Sequence, residues 1–118
     1  MATTATRKTT ITFSGDVVGT EQLSAASNAS SPGTMEIKSL VSGANTITPP
    51  AGGSCAPKAV TIIPPAGNAV TITLKGVTGD TGVLLHPTDP TTIALGSTTA
   101  TFVLTTSNTL SGIRFIWT

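Results

Sequence analysis

The sequence predicts an all-β protein: a single antiparallel β-sandwich, jelly-roll-like, of about eight strands behind an extended N-terminal arm. Three observations predict it. Thr is the most abundant residue and favours strands through β-branching. Apolar or alternating segments recur at strand spacing, each bounded by some of the 12 Gly, the 8 Pro, Asn or Asp. No window carries a convincing apolar helical period. The 118 residues suffice for one domain, and the expected division is an arm over 1–7 and a sandwich over 8–118.

Residues 1–7, "MATTATR", are small and polar, as an arm would be. "KTTITFS" (8–14) alternates and predicts a strand, and "GDVVGTEQL" (15–23) holds a second short one. "SAASNASSPG" (24–33) has the composition of a loop, with a short helix as the alternative. "TMEIKSLV" (34–41) sets Met35 and Ile37 against Glu36 and Lys38, then slips phase at Leu40 and Val41, which a bulge would absorb. Further strands are expected in "SGANTITPP" (42–50), "KAVTIIPP" (58–65), "NAVTITLKGV" (68–77), "GVLLH" (82–86), "TTIALG" (91–96) and "TATFVLT" (99–105). "GIRFIWT" (112–118) closes the series with Ile113, Phe115 and Trp117 on one face.

"PPAG" occurs twice, at 49–52 and 64–67. Proline cannot donate to a ladder, so each doublet ends strand pairing, and Gly52 or Gly67 supplies the φ a reversal needs. The repeat reads as two equivalent corners at one end of the sandwich. It lacks the PxxP spacing of an SH3-type ligand.

The charge content excludes several function classes. Only 9% of residues are charged and the net charge is +1, so no general electrostatic pull acts on nucleic acid or anionic lipid. No apolar run is long enough to span a bilayer, and no apolar segment follows the basic residues near the N-terminus, as a secretory signal requires. The single Cys55 allows no intramolecular disulfide, which fits synthesis in a reducing cytoplasm.

Candidate chemistry is sparse. Asp80-Thr81-Gly82 resembles the Asp-Thr-Gly of retroviral-type aspartic proteases, whose paired carboxylates share a proton at a dimer axis. The flanking Thr78-Gly79 and Val83 depart from that pattern, and a turn between strands is the better reading. Were Asp80 catalytic, an Asp80→Asn variant would lose peptide cleavage. His86 stands in "LLHPTDP" near Asp89, without a nucleophile elbow or metal-ligand spacing, and belongs to a turn. Cys55 in "GGSCAPK" lies three residues before Lys58 and reads as a small loop residue. With no Tyr, and with Trp117, Phe13, Phe102 and Phe115 all inside alternating strands, no aromatic platform is left for sugars or bases. No catalytic, cofactor-binding or metal-binding residue is assigned. The adjacent pair Arg7-Lys8 on the arm is the one candidate contact with a partner.

Stretches such as "ITLKGVTGDTGVLLHPTDP" and the final "IRFIW", in a Thr/Gly/Ala-rich, low-charge chain, resemble tailed-bacteriophage virion proteins. They are closest in character to small jelly-roll capsid decoration (cement) proteins. The resemblance implies a non-enzymatic structural role: binding across neighbouring capsid subunits and stabilising the shell. It implies partners that are copies of the chain itself, as homodimer or homotrimer, and a major capsid or other virion protein. No cofactor, direct nucleic-acid contact or membrane contact is expected, and the location is the virion, after synthesis in the host cytoplasm. The alternatives are a tail, baseplate or fibre-associated receptor-binding β-domain, and an aspartic-type hydrolase using Asp80.

Overall fold

The structure is a computed structural model that describes residues 3–13, 19–29, 34–50, 57, 59–95 and 101–118, with the backbone alone up to Thr34. It is all-β. The strands are β1 (Thr3–Phe13), β2 (Gly19–Ala29), β3 (Thr34–Leu40), β4 (Gly43–Ile47), β5 (Ala59–Ile63), β6 (Ile72–Lys75), β7 (Val83–Leu84), β8 (Thr91–Ala94), β9 (Phe102–Thr106) and β10 (Leu110–Trp117).

β1 and β2 form a two-stranded antiparallel sheet of their own, in unbroken register from Thr3↔Ala29 to Phe13↔Gly19. Strand backbone begins at Thr3, within the stretch expected to be an extended arm. One expectation is corrected. The Ala/Ser/Asn-rich segment read as loop or helix stays in the ladder as far as Ala29. Composition gave a weak preference there, and continuous cross-strand pairing overrides it.

The other eight strands make two four-stranded sheets, β3-β10-β5-β8 and β4-β9-β6-β7. The antiparallel pairs nest: β3 with β10, β4 with β9, β5 with β8 and β6 with β7. A long hairpin whose arms are paired in this way and rolled once, closed by the β10–β5 and β9–β6 ladders, is a jelly roll.

Between the sheets lies one apolar core, which includes Leu40, Ile47, Val60, Ile62, Ile72, Leu104, Ile113, Phe115 and Trp117. Strand period decides which side chains enter it. On β10, Ile113, Phe115 and Trp117 point in and are essentially fully buried, while Arg114 is exposed, as the alternation predicts. Phe115 and Trp117 stack at 6.2 Å, and Phe102 meets the Trp117 ring at 6.3 Å. Ala59 and Thr118 exchange backbone hydrogen bonds of 3.0 and 3.1 Å.

On β3 the more apolar set of the alternation faces outward. Met35 and Ile37 are 58% and 67% exposed, whereas Glu36 and Lys38 are half-buried on the inner face together with buried Leu40. There is no slip within β3, because the strand ends at Leu40 and Val41 is already in the corner leading to β4. The irregularity is on the partner strand. Ser111 pairs with Ser39 and Ile113 with Lys38, so Gly112, at φ 81, is the extra residue of a bulge in β10.

The two "PPAG" corners also part from expectation. The short Ser107–Thr109 connection brings the end of β9 and the start of β10 together. Ile47, just before Pro49, pairs with Phe102 at the other end of β9, while Pro65 lies 4.0 Å from where a Gly112 Cβ would stand. Pro49 and Pro64 thus cap opposite ends of the sandwich. Their local role is still alike, since each follows a strand end and each is buried. At the second corner Asn68 donates to the Pro65 carbonyl at 3.2 Å around Gly67, whose φ is 69. Gly52 lies outside the described residues.

Candidate functional site

The polar groups singled out in the sequence serve their own loops. Asp80 Oδ2 accepts the backbone N–H of Gly76 at 3.1 Å and of Val77 at 2.9 Å, and the Asp80 N–H donates to the Val77 carbonyl at 3.1 Å. The carboxylate closes the turn between β6 and β7, on an exposed loop. A short polar side chain that satisfies nearby backbone donors is what such a turn requires.

His86 has a similar task at the other end of the sandwich. Its Nδ1 accepts from the backbone N–H of Asp89 at 2.9 Å and of Thr88 at 3.3 Å, with the Asp89 carboxylate 3.6 Å away. Two N–H donors on Nδ1 require the neutral ring to carry its hydrogen on Nε2. Asn68 Nδ2 donates to the Pro87 carbonyl at 2.8 Å and ties this loop to the second Pro-Pro corner. His86→Ala is expected to cost about 1 kcal/mol, and His86→Asn, whose Oδ1 can accept the same donors, less than half of that. Urea unfolding of both variants checks the order, and nitrogen shifts of the ring check the tautomer.

No group of three or more His, Cys, Asp or Glu able to hold a metal ion occurs among the described residues. Among the described residues no helix is long and apolar enough to cross a membrane. Cys55 and Lys58 lie outside the described residues, as do the side chains of Phe13, Arg7 and Lys8. The backbones of Arg7 and Lys8 sit within β1, opposite Ala25 and Ser24.

Several large apolar side chains are exposed on the surface. Met35, Ile37, Val41, Val77, Val83 and Leu84 are each between 58% and 67% exposed. Two of them crown the outer face of the β3-β10-β5-β8 sheet, where Met35 pairs across to Ile116, and Ile37 to Arg114 and on to Ile63. Beside them Thr61 and Thr92 join hydroxyls at 2.9 Å. On the opposite face of β3, Glu36 accepts the indole N–H of Trp117 at 3.2 Å and pairs with Lys38 at 3.7 Å. The Lys38 ammonium stands 5.9 Å from the Phe115 ring centroid. The sequence reading missed this arrangement, although a signal was present: buried Leu40 is in phase with Glu36 and Lys38, not with Met35 and Ile37.

These features define a jelly-roll β-sandwich in which Asp80 and His86 serve their own turns and several large apolar side chains are turned outward. The chain matches no family model, no curated protein and no solved structure.

Proposed function

We propose that the chain is a non-enzymatic structural protein of a tailed-bacteriophage virion, a capsid decoration protein that bridges neighbouring capsid subunits and stabilises the shell. The observation that carries the proposal is the outward apolar surface on a chain of very low charge. Such side chains on a soluble monomer favour association, and they are stabilised when a neighbour covers them. The two-stranded β1–β2 ribbon supports the same reading, because a lone hairpin is marginally stable in water and gains from a surface to lie on. In this role function arises from modest contact area multiplied over many copies, with no chemical step. The partners are other copies of the chain and a major capsid protein, and the site of action is the virion.

The test is cryo-electron microscopy of virions from the producing host, with and without an intact gene for this chain. The expected result is density for the sandwich at lattice-related positions, in fixed ratio to the capsid protein, and reduced heat resistance of particles that lack it. Virions carrying none of the chain, or a chain that instead binds glycans as a particle-free monomer, would overturn the proposal.

A further inference from the structure

The sandwich has four edge strands, and three of them are blunted. β7 is two residues long, β4 runs into Pro49-Pro50, and β8 follows Pro90 directly. Short strands and prolines are the usual protection against edge-to-edge pairing. β3 has neither. It is a seven-residue strand without Gly or Pro, paired on one side with β10 and with no strand on its other side among the described residues.

We propose that this free edge pairs with the β3 edge of a second copy, antiparallel about a two-fold axis at Ile37, to give one eight-stranded sheet across the dimer. The proposal deepens the virion reading by naming its self-association surface, and rests on that reading only for its biological setting.

Three features of β3 select the partner and the register. A two-fold axis normal to the sheet keeps each side chain on its own face, so it must pass through a residue position. Ile37 is the middle of Thr34–Leu40, and only an axis there pairs all seven residues. That register also sets Glu36 opposite Lys38 of the partner subunit, and Lys38 opposite the partner's Glu36. An axis at Glu36 or at Lys38 would place like charges directly opposite, which is unfavourable. The two side chains are 31% and 35% exposed on the inner face, within reach of the edge. Charges pointing inward on an edge strand repel most foreign strands. Here they accept one partner, this same strand reversed. On the outer face Ile37 meets its own copy at the axis and Met35 lies diagonal to it, so four exposed apolar side chains close over one another. Ile116 and Ile63 continue that surface on each side.

The test is native mass spectrometry and light scattering of the purified chain. The wild type is expected to form a dimer of 11.7 kDa protomers. Glu36→Lys and Lys38→Glu, each alone, make the charges at the joint alike and should weaken the dimer at least roughly tenfold. The double swap E36K/K38E should restore it, as should mixing the two single variants. Because Glu36→Lys also removes the Trp117 bond, Ile37→Lys is the second probe. It alters only an exposed side chain and should yield a folded monomer. A wild type that stays monomeric, or a dimer indifferent to Ile37→Lys and to the charge swap, overturns the proposal. No virion enters these measurements, so a β3-linked dimer that never joins a particle would sink the decoration reading and leave this inference standing.

Discussion

Replacing Gly82 with alanine is expected to destabilise the fold by about 3 kcal/mol or more, the largest effect of an added methyl group at any described glycine. Two costs add. Gly82 has φ 81, a left-handed conformation that costs an L-residue about 1 kcal/mol or somewhat more. The added Cβ would also stand 2.6 Å from the Leu74 carbonyl oxygen, 2.7 Å from Lys75 Cγ and 2.8 Å from Thr73 Cγ2. One of those atoms is backbone in β6, so relief means pulling β7 away from the ladder that holds it. Gly67→Ala is the matched control, since its φ of 69 carries the conformational cost while nothing lies within 4 Å. It should lose about 1 kcal/mol. Gly79→Ala, in open space without positive φ, should change stability by less than about 0.5 kcal/mol. Thermal unfolding separates the three, at about 4 °C per kcal/mol for a domain of this size. Equal losses for Gly82 and Gly67 would show that the close approach is not felt.

The glycine pattern illustrates what was legible in the sequence. Turn residues and alternation located each sandwich strand to within a few residues, because both are local properties of the chain. The inward set on β10 was legible for the same reason. Phase on β3 was not. Met35 and Ile37 are more hydrophobic than Glu36 and Lys38, and alternation alone assigns the more apolar set to the core. In the structure Leu40 is buried in phase with Glu36 and Lys38, and Glu36 at the sheet edge accepts the indole N–H of the buried Trp117 while staying partly in water. That partner is 81 residues distant in the chain, so no local pattern could announce it. The positions of the two Pro-Pro corners were hidden for a related reason. Identical local chemistry ends a strand wherever the strand ends, and which end of the sandwich that is depends on strand order. The outward apolar face, the basis of the functional proposal, became visible only when the phase of β3 was known.

Trp117→Ala is expected to cost about 3–5 kcal/mol, a large share of the stability of a domain this size. The side chain is 1% exposed, stacks on Phe115 and touches Phe102, so its loss opens a cavity between the two sheets. The more informative experiment divides the packing from the hydrogen bond. Trp117→Phe keeps an aromatic ring but leaves Glu36 without the indole donor, while Glu36→Leu strands a buried indole N–H. Each should cost about 1–3 kcal/mol, the Trp117→Phe value including the volume lost. The double variant should cost less than the sum, because neither group is then left unpaired, and the coupling should be about 1 kcal/mol. Glu36 is partly exposed, so solvent screening keeps that figure at the low end for a charged partner. The cycle should be run in the Ile37→Lys background or at one fixed protein concentration, since a dimer joined through β3 would otherwise add its own concentration-dependent stability. Additive losses would mean that the 3.2 Å contact contributes no stability. Positive coupling would show that the indole hydrogen bond contributes to holding Glu36 on the inner face, the face opposite Met35 and Ile37.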